Sequence, residues 1–247
     1  DVASFANALT GLEPAKPARR AALVKTAHAE YLASLEPLNA NSTLSLDAVA
    51  VIAARQLPSD ACITVGAGNY ALYPHRYRQY TGPGTSLTPT VGSMGYGLPA
   101  AISAKLEQPE RTVVCYAGDG CFQMNLQELG VALQYRVGIV VLLFNNGIYG
   151  TIRAHQEREF PGREIALGMT NPDFAALVRS YGGHGEVVER TEDFSAALAR
   201  ACAFADRERL PALVELRYDS DDIAPGETLS AIRAKAIADQ QDMAASN

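Results

Sequence analysis

The apolar positions of this chain follow two rhythms. Residues 21–35 carry Leu23, Ala27, Tyr31 and Leu35 at helical spacing. Residues 45–57 carry Leu46, Val49, Ile52 and Ala53 in the same way, with Pro58 just past the end. A shorter helix is predicted over residues 1–12, broken by Pro14 and Pro17, and residues 37–42 read as a loop. From residue 62 onward the rhythm changes to short, nearly continuous apolar runs, and 62–65, 112–117, 139–144, 185–188 and 212–216 predict strands. Helical patterns at 95–106, 125–134, 173–181 and 193–206 lie between them, the third stopped by Gly182-Gly183. Residues 87–94, rich in Gly, Pro and Thr, predict a loop. Beyond Asp219 the chain is polar and weakly periodic and predicts a tail.

Apolar strands alternating with helices imply an α/β fold, a doubly wound and mostly parallel sheet with helices on both faces. Ligands of such sheets bind at the carboxyl ends of the strands, so the loops that follow strands hold the candidate chemistry. A nucleotide-binding Rossmann reading fails, because no GxGxxG follows the first strand with an acidic residue about 20 positions on.

Composition narrows this picture without redirecting it. The 247 residues, 48% hydrophobic and 19% charged, suit a soluble domain with appendages. No apolar run approaches the roughly 18 residues of a membrane span. Residues 1–5 lack the basic-then-apolar start of a signal peptide, and the missing initiator methionine points to a trimmed or partial chain. A net charge of −6 with no long basic run argues against a nucleic-acid surface. Cys62, Cys115, Cys121 and Cys202 form no CxxC pair, so neither a zinc site nor a disulfide framework is expected. They read as reduced thiols of a cytoplasmic protein.

Two strand-end loops stand out. Gly118-Asp119-Gly120 follows one buried strand and Asn145-Asn146-Gly147 the next. Singly, each is a common turn signal. Together, on one edge of a parallel sheet, a carboxylate, an amide oxygen and a nearby backbone carbonyl form an oxygen-only ligand set. Such a set suits Mg²⁺ or Ca²⁺ and does not suit zinc. A helix beginning near Cys121 offers its N-terminal amides to phosphate. Local chemistry therefore points to a magnesium–diphosphate site.

The GDG motif, with Asn146 lying 27 positions after Asp119, resembles the cofactor motif of the thiamine-diphosphate-dependent acetolactate synthase/pyruvate decarboxylase superfamily. NNGIYGTIRAHQ and the upstream TVGSMGYGLPAAI (Thr90 to Ile102) are similar to the same regions of that family, and the resemblance covers about residues 45–218. It implies a thiamine-diphosphate-binding fold, with thiamine diphosphate and Mg²⁺ as cofactors. Asp119 and Asn146 would supply side-chain ligands to the metal and Ile148 its carbonyl. Gly118, Gly120 and Cys121, with Gly68, Asn69 and Tyr149, would lie along the cofactor. Met94 would wedge the thiamine into its bent form, and the Gly92 carbonyl would accept from its amino group. Thr151 and Ile152 would lie near the reacting carbonyl of substrate.

The same resemblance exposes a gap. The family's activating glutamate sits on a separate pyrimidine-binding domain, and nothing before residue 45 is long enough to be one. Residues 1–44 would be the end of a central domain and its linker, 45–220 the pyrophosphate- and magnesium-binding domain, and 221–247 the C-terminal tail. The chain is thus expected to be either a fragment or one subunit of a split enzyme, within a homo- or hetero-oligomer (dimer or tetramer). The expected activity is cleavage or formation of C–C bonds on 2-oxo acids, carboligase ahead of decarboxylase. The alternative is a non-catalytic cofactor-binding or regulatory subunit. His155 reads as a surface or hinge histidine ahead of a proton shuttle, and His75 as a loop residue. His28 and His184 carry no functional signal. Glu157, Arg158 and Glu159 read as a solvated face, and Phe160-Pro161-Gly162 as a connector or a closing loop.

Overall fold

A computed structural model describes residues 1–12, 17–38 and 42–245. Pro14 and residues 39–41 of the expected loop lie outside them. Two compact units result, residues 1–36 and 37–247.

The first unit holds helices α1 (Val2–Thr10) and α2 (Pro17–Ser34). Asp1 caps α1 by accepting from the Ser4 amide at 2.9 Å, and no residue of α1 is buried. Pro17 opens α2, at the position where a missing N–H costs nothing.

The second unit is built on a six-stranded sheet. After α3 (Leu46–Gln56), capped by Ser45, the chain runs β1 (Cys62–Val65), α4 (Leu72–Tyr77), β2 (Ser86–Leu87), α5 (Gly97–Glu107), β3 (Val113–Gly118), α6 (Asp119–Asn125) and α7 (Leu129–Gln134). It continues through β4 (Val140–Asn145), α8 (Gly150–Glu159), α9 (Phe174–Ser180), β5 (His184–Val188), α10 (Thr191–Glu208) and β6 (Ala212–Arg217). The spatial order is β2-β1-β3-β4-β6-β5, with every neighbouring pair parallel.

Alternation along these strands divides the core in two. Val114 and Tyr116 of β3, Val140, Leu142 and Phe144 of β4, and Val214 and Leu216 of β6 face the side covered by α3 and α10. Cys115, Val141, Leu143 and Leu213 face the side covered by α5, α7 and α9. The expected doubly wound sheet is therefore present. Register aligns the strand ends: Gly118 pairs with Phe144, and Phe144 with Leu216. The loops leaving these strands thus open at one level of one edge.

The structure departs from the sequence expectations in several places. Helix α4 forms where no element was expected and carries His75, read from sequence as a loop residue. Ser86–Leu87 adds a short edge strand where a loop was expected to begin. The helix expected at 125–134 starts earlier, at Asp119, and a 3-10 turn at Leu126–Glu128 divides it. Residues 150–159 form α8, an element the apolar pattern hides because only Ala154 and Glu157 are buried. The polar region after Asp219 is structured as an antiparallel hairpin, β7 (Asp222–Ala224) and β8 (Glu227–Thr228), followed by α11 (Leu229–Ala245). Its apolar residues Ile223, Ala224, Leu229 and Ile232 form a small separate core with Ala154 of α8.

A further departure is Glu157. The expected solvated face holds for Arg158 and Glu159, which are exposed. Glu157 is 1% exposed. It accepts from Arg153 Nε at 2.7 Å, the Gly162 amide at 2.9 Å, and Arg233 Nε and Nη2 at 2.8 and 2.5 Å. One carboxylate thereby ties α11 and the turn at Gly162 to α8. Gln156 adds a pair to the backbone of Ile165, and Arg153 an ion pair to Glu164. The segment from Phe160 to Ile165 is thus pinned to α8.

The Arg233 guanidinium, then Gly162 and Arg153, hold the Glu157 carboxyl at about 2, below its ordinary 4.5. A lowered carboxylate contributes stability above its unfolded value and loses it as pH falls through the folded one. We therefore expect Glu157→Gln to cost roughly 2 kcal/mol at neutral pH, measured by urea unfolding. The gap from the unaltered protein should narrow as pH falls from about 4.5 toward about 2.

Candidate functional site

The aligned ends of β1, β3 and β4 surround a cavity that opens broadly to solvent. Gly68 and Asn69 reach it from the turn after β1, and Gly118, Asp119, Gly120 and Cys121 from the β3–α6 junction. Asn146, Ile148 and Tyr149 come from the turn after β4, and Thr151 and Ile152 from the start of α8. Met94, half-buried ahead of α5, completes this set. Of the site residues predicted from sequence, Gly92 alone stands apart: it is exposed, at φ 67°, and does not line the cavity.

Asp119 dominates the electrostatics. It is 4% exposed, and among the described residues no lysine or arginine pairs with it. Its Oδ1 accepts from the Gly120 amide at 2.9 Å, and its Oδ2 from the Gly147 amide at 2.9 Å and Asn171 Nδ2 at 2.7 Å. Burial raises the carboxyl above its ordinary value against the opposing pull of these donors. Such a group favours a cation beside it. Asn146 Oδ1 is engaged only by a long 3.3 Å contact from the Ile148 amide. The Ile148 carbonyl accepts from Gly150 at 2.9 Å and keeps a second lone pair. These three oxygens fit a hard cation. Among the described residues no three His, Cys, Asp or Glu side chains cluster closely enough to hold a metal, consistent with a set that draws on amide and carbonyl oxygens.

The glycines have a local reason that sequence did not supply. A Cβ on Gly68 would lie 2.6 Å from Tyr70 Cε1, and one on Gly118 would lie 2.9 Å from Tyr70 Cδ1. Both admit the Tyr70 ring. That ring packs 5.9 Å from Phe144, which also lies 5.8 Å from Tyr116 and 5.9 Å from Tyr73. Tyr70, Phe144, Tyr218 and Ile223 line the cavity and were missed from sequence. Phe144 and Tyr218 were findable, since each stands at the end of an apolar strand.

Thr151 is committed to the β1 turn. Its Oγ1 accepts from the Asn69 amide at 3.0 Å and donates to Asn69 Oδ1 at 3.1 Å. Cys121 donates to the Ala67 carbonyl at 3.0 Å. His155 is exposed on α8, His75 exposed on α4, and neither lines the cavity. His184 pairs with Glu186 at 2.9 Å on β5.

Residues 66–216 match the family model described as thiamine pyrophosphate enzyme, C-terminal TPP binding domain. The chain belongs to that family. Among its relatives, the acetolactate synthase isozyme 2 large subunit of Escherichia coli (strain K12) is 36% identical over 143 residues, 57% of this chain and 26% of that protein. Acetolactate synthase of Arthrospira platensis is 34% identical over 175 residues, 68% of this chain and 29% of that protein. Among solved structures, the thiamine diphosphate-dependent 4-hydroxybenzoylformate decarboxylase of Rhodococcus jostii RHA1 superposes with a TM-score of 0.68 at 28% identity. It covers 74% of this chain and 34% of its own. The chain thus spans between 26% and 34% of the length of these relatives. No helix of the described residues is long and apolar enough to cross a membrane.

Burial, with the Cys121 thiol beside it, pushes the Tyr70 hydroxyl above its ordinary value, while the Gly118 backbone pulls the other way.

Proposed function

We propose that this chain is the diphosphate- and magnesium-binding half of an enzyme that cleaves or forms C–C bonds on 2-oxo acids, with carboligation ahead of simple decarboxylation. The observation that carries the reading is the buried Asp119 carboxylate, without a cationic partner, facing Asn146 and Ile148 across a cavity at the carboxyl ends of adjacent parallel strands. Acetolactate synthases among the relatives support the carboligase choice.

In this reading Asp119 and Asn146 hold Mg²⁺ with their side-chain oxygens and Ile148 with its carbonyl. Gly68, Asn69, Gly118, Gly120, Cys121 and Tyr149 flank the diphosphate. Met94 braces the thiamine from the β2–α5 segment, and Gly92 accepts from its amino group. Thiamine diphosphate, when bound, supplies the electron sink for breaking or making the bond beside the carbonyl. Ile152, which is exposed at the cavity, meets the substrate. The Thr151–Asn69 pair joins the β1 turn to α8 and fixes the width of the cavity.

Asp119 is the only carboxylate lining the cavity among the described residues. The activating glutamate therefore comes from a pyrimidine-binding domain on another chain or segment, and the working enzyme is an oligomer. Residues 1–44 then belong to the end of a central domain and its linker, residues 45–220 to the pyrophosphate-binding domain, and residues 221–247 to the C-terminal segment that follows it. We place the protein in the cytoplasm.

Asp119→Ala should abolish magnesium-dependent binding of thiamine diphosphate in calorimetry while the circular dichroism spectrum is retained. Binding that persists defeats the assignment. Met94→Ala should lower turnover at least tenfold more than it lowers cofactor affinity, since a brace acts on orientation. Equal losses would leave Met94 as a packing residue. Native mass spectrometry of the protein from its source, with cofactor present, tests the missing domain: a second polypeptide, or a longer chain, should carry it.

A further inference from the structure

We infer that Asn171, on the loop between α8 and α9, is a positioning residue for the cation-binding carboxylate, held in that role by a polar relay through Asn145 to the buried Glu215. The inference rests on the proposed magnesium site and adds residues that lie outside the cavity. The Asn171 amide is fully committed. Its Nδ2 donates to Asp119 Oδ2 at 2.7 Å and to Asn145 Oδ1 at 2.8 Å, while its Oδ1 accepts from Gln123 Nε2 at 2.9 Å. Asn145 Nδ2 in turn donates to Glu215 Oε1 at 2.8 Å, where Arg217 Nε also donates at 2.8 Å.

Chemistry fixes the direction of this relay. An ionised carboxylate only accepts. Glu215 therefore draws the Asn145 NH₂ toward itself, which turns the Asn145 oxygen toward Asn171. That oxygen and Asp119 then both demand the Asn171 NH₂. Glu215 is 0% exposed and stands on the strand face otherwise occupied by Leu213. A buried polar group in an apolar strand needs partners, and its Oε1 has two, Asn145 and Arg217.

The consequence is an unequal carboxylate. Asp119 Oδ2 accepts from two other residues, Asn171 and Gly147, whereas Oδ1 accepts from Gly120. Oδ1 is thus the less committed oxygen and the one turned to a cation. A one-point carboxylate ligand suits the octahedral geometry that magnesium demands. Without Asn171, the second Oδ2 site opens and the carboxylate is free to turn.

The test uses the protein as isolated, with any polypeptide that accompanies it, and measures the magnesium dependence of thiamine diphosphate binding by calorimetry. Asn171→Ala should weaken magnesium affinity roughly 10- to 100-fold. Asn171→Leu is close to asparagine in size, removes the donor without adding charge, and should weaken magnesium affinity to a similar extent. Glu215→Leu removes the acceptor that orients Asn145 and should also weaken magnesium affinity, by less than the Asn171 change; an unmoved magnesium midpoint would remove Glu215 from the relay and overturn that part of the inference. Thermal melts of the metal-free proteins run alongside. Lowered melting temperatures with an unmoved magnesium midpoint would mean a structural role only and overturn the inference. Should Asn171→Ala fail to fold, Asn171→Leu decides in the same way. Normal magnesium affinity in the Asn171 variants overturns the inference alone. Failure of the unaltered protein to bind the cofactor overturns the magnesium site and the inference together.

Discussion

Burying the Asp119 carboxylate is the constraint on which the upper edge of the sheet depends. An ionised group taken out of water needs donors on nearly every lone pair. Here they come from three places: the first turn of α6, the turn after β4, and the loop before α9. Those segments are distant in sequence, and none holds Asp119 alone. Their convergence requires the parallel register that sets Gly118 beside Phe144. The sheet thus acts as a ruler, and its hydrophobic faces supply the energy that keeps the charge in place.

Beneath the charge lies an aromatic floor. Phe144 lies within 6.3 Å of four tyrosine rings, including Tyr218 from the end of β6. The Tyr70 ring enters between Gly68 and Gly118 because neither carries a Cβ. A glycine beside a ligand pocket is readily credited to the ligand. In this fold the same glycines first make room for a side chain that closes the bottom of the cavity.

The sheet was legible because parallel strands are buried on both faces and read as unbroken apolar runs, such as Ile139–Phe144. The paired strand-end motifs were legible because the fold puts ligands there. The C-terminal hairpin and α11 were not. Their contact with α8 uses few apolar residues and leans on Glu157 with Arg233, a pairing 76 residues apart that no local pattern announces. Helix α8 was hidden for the same reason: it buries a carboxylate where an amphipathic helix would bury leucine. Asn171 sits in a loop with no period to mark it, and its meaning comes only from the two acceptors around it.

The lining is sparing in charged groups. Its ionisable groups are Asp119, Cys121 and tyrosines, among the described residues. Burial pushes the Tyr218 hydroxyl far above neutrality, with Asp119 adding to the effect. Asp119 accepts from Gly120, Gly147 and Asn171, and Cys121 donates to Ala67. The polar groups of the lining are thus tied to the fold that carries them. Polar precision is concentrated around one carboxylate, and the rest of the wall is largely glycine, aromatic and aliphatic.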